Sequence, residues 1–163
     1  AHPLRGNVGE RVHRGACQMI KVNFVVVGKL KESFYREAVA EYVKRLSRFC
    51  KTEIRELPER ATLADEAADI LRALRGYTIA LAVEGKGCSS EAFAKKLRFL
   101  CDQGKEITFV IGSSCGLDGS VKRAADELLS FSEMTFPHQL MRVILAEQVY
   151  RAFMINAGAE YHK

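Results

Sequence analysis

From Met19 onward, apolar β-branched runs alternate with segments of helical period, and this alternation restricts the chain to a layered α/β fold. The run Ile20 to Val27, closed by Gly28, reads as a strand buried on both faces. Ser33 then offers an N-cap to a segment in which Phe34, Ala38, Tyr42 or Val43, and Leu46 recur at helical spacing, ending near Phe49. Residues 52–57 read as a short strand, and Ala61 to Leu74 as an alanine-rich helix stopped by Arg75-Gly76. Tyr77 to Val83 is a third strand, and a helix capped by Ser89 or Ser90 runs to about Asp102 before Gly104 breaks it. Ile107 to Ile111 is a fourth strand and Leu128 to Phe131 a short fifth. An irregular bridge, Ser132 to Thr135, leads to a last helix over Gln139 to Ala157. The order predicts an α/β fold with a mostly parallel sheet and flanking helices, and places ligands beyond the carboxyl ends of the strands.

The chain has 163 residues, 48% of them hydrophobic and 28% charged, which suits one folded domain and excludes a disordered or fibrous chain. Its net charge is +5, of which Arg5, Arg11 and Arg14 against Glu10 place +2 in residues 1–18 and leave the body mildly basic. That balance is compatible with a nucleic-acid partner, because cationic side chains displace counterions from phosphates. The leader AHPLRGNVGERVHRGACQ has neither strand nor helix period and lacks the apolar stretch of a secretory signal; it reads as a disordered extension preceding a domain at 19–163. No apolar run reaches the length of a membrane span, so a cytoplasmic protein is expected. Cys17, Cys50, Cys88, Cys101 and Cys115 include no C-x-x-C pair and no histidine at zinc-ligand spacing. No metal site is expected, and the thiols read as free and mostly buried.

Two glycine-containing stretches after strands carry the chemistry: Glu84 to Gly87, and Gly112-Ser-Ser-Cys-Gly116-Leu-Asp-Gly119. Glycine permits positive φ and close backbone approach to a ligand. Neither stretch is a dinucleotide fingerprint or a phosphate-binding P-loop. The last helix is apolar on nearly every face, with Leu140, Val143, Ile144, Leu145, Val149, Phe153, Met154 and Ile155, and one chain is not expected to bury all of it. A second copy is therefore the expected cover, making a homodimer. Arg142 and Arg151 are nine positions apart and fall on opposite sides of this helix, Glu147 stands where it can pair with Arg151, and Arg142 has no helical partner.

The stretch FVIGSSCGLDGSV, followed by LSFSEMTFPHQLMRVILAEQVYRAFMINAGAEYHK, resembles the C-terminal half of the RlmH family, and VVVGKLKESFYREAVAEYVKRL resembles its opening. Members of that family are SPOUT-class methyltransferases of large-subunit ribosomal RNA, and the likeness runs from Met19 to Lys163. The resemblance implies methylation at N3 of a pseudouridine in 23S rRNA, carried in the large subunit or the assembled ribosome. It further implies S-adenosylmethionine as donor, a homodimer, and a C-terminal trefoil knot. Matched position by position, cofactor contacts fall on Leu81, Gly112 and the run Phe131-Ser132-Glu133-Met134-Thr135-Phe136, with Leu81, Met134 and Phe136 as apolar walls. Two positions depart from the family pattern: Ser113 stands where a second glycine is common, which would strain a positive φ, and Ala82 where an acidic residue is common. Tyr161 and His162 are expected to reach the target base from the tail, His162 relaying the N3 proton, while Arg142 holds a phosphate or polarises a base carbonyl. The alternatives are a non-catalytic RNA- or nucleotide-binding α/β module and, more remotely, a hydrolase built on Cys115.

Overall fold

A computed structural model describes residues 19–162. The leader and Lys163, part of the expected catalytic tail, lie outside the described residues. Five strands form one sheet in the order β2-β1-β4-β3-β5: β1 (Ile20–Val27), β2 (Cys50–Leu57), β3 (Tyr77–Lys86), β4 (Ile107–Ile111) and β5 (Glu127–Leu129). Every pairing in the sheet is parallel. The helices are α1 (Ser33–Leu46), α2 (Leu63–Ala73), α3 (Ser90–Asp102), α4 (Gly119–Ala124) and α5 (His138–Asn156).

Strand period divides the core in two. Val22, Phe24 and Val26 of β1 point to one face with Phe109, Leu46, Phe93, Leu97, Leu145 and Val149, and Val25 and Val27 point to the other with Ile70, Val110, Leu117 and Val121. The first face is covered by α1, α3 and α5, the second by α2 and α4. This distribution follows from handedness: β1 to β2 and β3 to β4 step one way along the sheet, β2 to β3 and β4 to β5 the other, so a single crossover hand requires opposite faces. Loops that diverge in this manner open a crevice at the carboxyl edge of the central strands.

Local chemistry sets the helix starts. The side-chain oxygens of Thr62, Ser89 and Asp118 accept from the backbone N–H groups of Asp65, Ala92 and Ser120 at the starts of α2, α3 and α4. Ser33 does not cap: Glu32 holds that position without a side-chain bond, and α1 ends at Leu46 rather than near Phe49. Strand β3 continues to Lys86, so Glu84 to Lys86 is strand and not a βα loop. There Gly85 lets β5 lie close, since a Cβ would come within 2.8 Å of the Leu128 carbonyl carbon. Helix α4 was absent from the sequence expectation.

Helix α5 corrects the argument made from its composition. It packs between α1 and α3, buries Arg142, Leu145, Ala146, Val149, Tyr150, Ala152 and Phe153, and leaves Leu140, Val143 and Ile144 half-buried. No residue of α5 is fully exposed. One chain therefore covers most of a helix whose all-round apolar character suggested otherwise. Among the described residues the thiols are mixed rather than mostly buried: Cys50 is buried, Cys101 half-buried, Cys88 and Cys115 exposed, and Cys17 lies outside the described residues.

Candidate functional site

The carboxyl ends of β3, β4 and β5 open into a cavity of about 580 Å³, well within the range that holds a cofactor-sized ligand. Its walls come from three segments distant in sequence: Leu81 to Glu84 at the end of β3, Ile111 to Leu117 after β4, and Leu129 to Ser132 with Thr135 to His138 and Met141 after β5. Of the residues expected to touch a cofactor, Leu81, Gly112, Phe131, Ser132, Thr135 and Phe136 line it. Glu133 and Met134 do not. They sit on the outside of a turn in which the Met134 N–H donates to Ser132 Oγ at 3.0 Å, and Met134, expected as an apolar wall, is 72% exposed.

The β4–α4 loop is a tight backbone cradle. The Gly116 N–H donates to the Ser113 carbonyl at 2.9 Å, and Gly116 adopts a φ of +87°, which favours glycine. Gly112 is needed for space, because a Cβ there would stand 2.4 Å from the Gly116 carbonyl oxygen. Ser113 takes an ordinary negative φ, so the departure from a second glycine strains nothing. The sequence did not single out Leu117, Leu129, His138 and Met141 as pocket walls, nor the ion pair between Lys122 and Glu84, both of which line the cavity. Burial of Leu117 and Leu129 could be anticipated from their apolar character; the Lys122–Glu84 pair joins residues 38 apart and has no local signal.

The three residues expected to act on substrate are not together. Tyr161 and His162 fold back on the second half of α5: the Tyr161 hydroxyl donates to Glu147 Oε1 at 3.2 Å and its ring meets Tyr150 edge to face, with Arg151 over its face. His162 Nδ1 lies 3.0 Å from Arg151 Nη1, and Nε2 lies 2.7 Å from Glu91 Oε1 at the start of α3. The pairing of Glu147 with Arg151 is present, at 2.6 Å. Along α5, Arg151 is ten residues beyond the pocket residue Met141, a rise of about 15 Å. In this arrangement the tail stands well away from its own chain's cavity.

Burial and the neighbouring Glu147 carboxylate push the Tyr161 phenol up to about 12, so it is neutral under ordinary conditions and acts as a hydrogen-bond donor. A raised folded value means the stabilisation is complete below the phenol's ordinary value of 10.0 and fades as pH rises toward 12. Tyr77, which donates to Glu127 at 2.6 Å and is also raised to about 12, adds to the same window. Thermal melts are expected to hold steady up to about pH 10 and fall above it, less so in a Tyr77→Phe, Tyr161→Phe double variant.

Arg142 is buried, 2% exposed, at the junction of α5 with β1 and β2. Nη2 donates to the Gly28 carbonyl at 3.0 Å and Nη1 to Glu56 Oε2 at 3.1 Å, while Nε is buried without a partner. Desolvation lowers its pKa and Glu56 opposes that. Arg142→Met is expected to lower stability by about 1–3 kcal/mol in urea unfolding, since it leaves the Gly28 carbonyl without its buried donor while Glu56, being exposed, returns to solvent. Among the described residues no cluster of histidine, cysteine and acidic side chains suits a metal, and no helix is long and apolar enough to cross a membrane.

A parallel sheet whose cavity is built by the carboxyl-end half of β3 and the loops after β4 and β5, the last leading into a long helix, is an arrangement suited to a small cofactor at the strand ends. The family model described as "Predicted SPOUT methyltransferase" matches residues 20–162. The ribosomal RNA large subunit methyltransferase H of Levilactobacillus brevis is 50% identical over 159 residues, covering 88% of this chain and all of that protein. Its namesake in Streptococcus thermophilus is 48% identical with the same coverage. A crystal structure of a methylase family protein from Neisseria gonorrhoeae aligns with a TM-score of 0.50, covering 90% of this chain and 86% of that one, at 11% identity, and supports the fold alone. The chain belongs to the SPOUT methyltransferases and, within them, to the RlmH family.

Proposed function

We propose that this protein is an S-adenosylmethionine-dependent methyltransferase of ribosomal RNA that modifies N3 of a pseudouridine in 23S rRNA as a homodimer in the cytoplasm. The observation that carries this reading is the cavity at the carboxyl edge of β3, β4 and β5, whose walls are backbone loops and apolar side chains at six of the eight positions expected to meet the cofactor. The relatives' names supply the RNA.

The site fits the donor by its form. The Gly112 cradle has no room for a Cβ, and Leu81, Phe131 and Phe136 offer apolar surface to an adenine. When bound, S-adenosylmethionine supplies an activated methyl group. The protein's residues must then hold the base in line and accept the N3 proton, so positioning is the larger share of catalysis. His162 is the group suited to take or relay that proton and Tyr161, neutral, to donate a hydrogen bond to the base. Arg142, expected to hold a phosphate or polarise a base carbonyl, is buried with Nη1 on Glu56 and Nη2 on Gly28, so it acts by fixing α5 against β1 and β2 rather than by touching the base. Because the tail docks on Glu147 and Arg151, about 9 to 15 Å along α5 from Met141 at its own cavity, we assign it to the cavity of the other subunit, with half-buried Leu140, Val143 and Ile144 of α5 in the subunit contact. The trefoil knot that the family implies is part of the same proposal.

Thermal shift with S-adenosylhomocysteine tests the cofactor assignment. Stabilisation that grows with ligand concentration is expected by mass action, and none at millimolar ligand would favour a non-catalytic RNA-binding module instead.

A further inference from the structure

Glu66, in the first turns of α2, is 5% exposed, which is unusual for a carboxylate and calls for partners. It has two, and they belong to different segments. Oε2 accepts the backbone N–H of Arg60 at 3.0 Å, fixing the β2–α2 connection. Oε1 accepts the Ser113 hydroxyl at 2.9 Å, across 47 residues of sequence, and Ser113 lines the cavity. The β4–α4 loop is otherwise held by its own Ser113–Gly116 bridge and by buried Leu117 at its far end. Among the described residues its near end, next to Gly112, has this one side-chain hydrogen bond to the body of the protein.

We propose that Glu66 and Ser113 form a positioning pair that sets the shape of the cofactor cradle: the buried carboxylate holds the Ser113 side chain back against α2, so that the backbone of residues 112–116 faces the cavity before ligand arrives. Neither residue touches the reacting atoms. The pair acts by preorganisation, which raises affinity by removing the ordering a loose loop would undergo on binding. A serine in place of a second glycine is then useful, since glycine has no side chain to anchor and leaves the loop freer. The inference rests on reading this cavity as the cofactor site.

The test is calorimetric titration of S-adenosylhomocysteine into the wild type, Ser113→Ala, Ser113→Thr, Glu66→Ala and the Ser113→Ala, Glu66→Ala double variant, with methyl-transfer kinetics on ribosomal RNA. Loss of one hydrogen bond to a charged group is expected to weaken binding about tenfold in Ser113→Ala. Ser113→Thr, which keeps the hydroxyl, should restore it. The KM for S-adenosylmethionine should rise in Ser113→Ala with kcat at saturation unchanged. The double variant should bind no more weakly than Glu66→Ala alone, because both changes cut the same tether. If Glu66→Ala fails to fold, the alanine and threonine variants of Ser113 decide the matter between them. Wild-type affinity in Ser113→Ala, or failure of threonine to restore it, would overturn the pair as a positioning device. A wild type that does not bind S-adenosylhomocysteine would overturn the reading of the cavity itself.

Discussion

Gly112→Ala is expected to lose S-adenosylhomocysteine binding by a factor of about 100 or more while still folding. The added methyl would stand 2.4 Å from the Gly116 carbonyl oxygen, 2.8 Å from its carbon and 2.8 Å from Leu117 Cδ2, and two of these three are backbone, which cannot rotate away. The loop must open, or Leu117 must leave the core cluster it shares with Val110 and Val121. Overpacking of this kind costs about 1–3 kcal/mol of stability. The larger effect falls on the ligand, because the atoms displaced are those of the cradle. Calorimetry with far-ultraviolet dichroism as a folding control checks both, and near-native affinity in a folded Gly112→Ala protein would mean the cofactor sits elsewhere.

Removal of Tyr161, His162 and Lys163 is expected to reduce methyl transfer by a factor of about 100 to 10,000, the range for a lost general acid–base group and its orienting neighbour, while cofactor affinity stays within about threefold. Affinity should survive because the tail docks about 9 to 15 Å along α5 from its own chain's cavity and lines none of it. A mixed dimer sharpens the point. One subunit carries Gly112→Ala with an intact tail, the other an intact cavity without its tail. If the tail serves the partner, this mixture regains one working site; if the tail serves its own chain, each subunit lacks something and the mixture stays inactive. Activity of the tail-less protein equal to the wild type would remove Tyr161 and His162 from the chemistry altogether.

The parts of the fold legible from sequence are those written in local pattern. Strand β1 is a run rich in β-branched residues and β4 a nearly continuous apolar one, bounded by Gly28 and Gly112, and their limits stand where the sequence places them. Helix α4 was missed because six residues are too few to show a helical period, although its Asp118 cap was in plain sight. Gly85 read as part of a loop after the strand because glycine more often breaks strands than admits a neighbour; that it lets β5 approach depends on residues more than 40 positions away. The same limit governs α5. Its composition says that it is covered on nearly all sides, not whether α1 and α3 or a second subunit does the covering.

At the site, the loops after β4 and β5 were legible because ligand crevices in parallel sheets lie at strand ends, and the matched family positions agreed with that rule. Long-range ties were not. The contacts of Arg142 with Gly28 and Glu56, of Ser113 with Glu66 and of His162 with Glu91 span 47 to 114 residues and follow no spacing on a helix or strand. Glu133 and Met134 belong to the matched run, yet the short turn closed by Ser132 Oγ directs them outward.

The most direct test of the central claim is methyl transfer itself: the purified protein, S-adenosylmethionine labelled in its methyl group, and ribosomes or 23S rRNA from cells lacking this modification. The expected result is stoichiometric label at one pseudouridine, on N3, that disappears with Gly112→Ala. Absence of label from every ribosomal substrate, under conditions where the protein binds S-adenosylhomocysteine, would contradict the assignment.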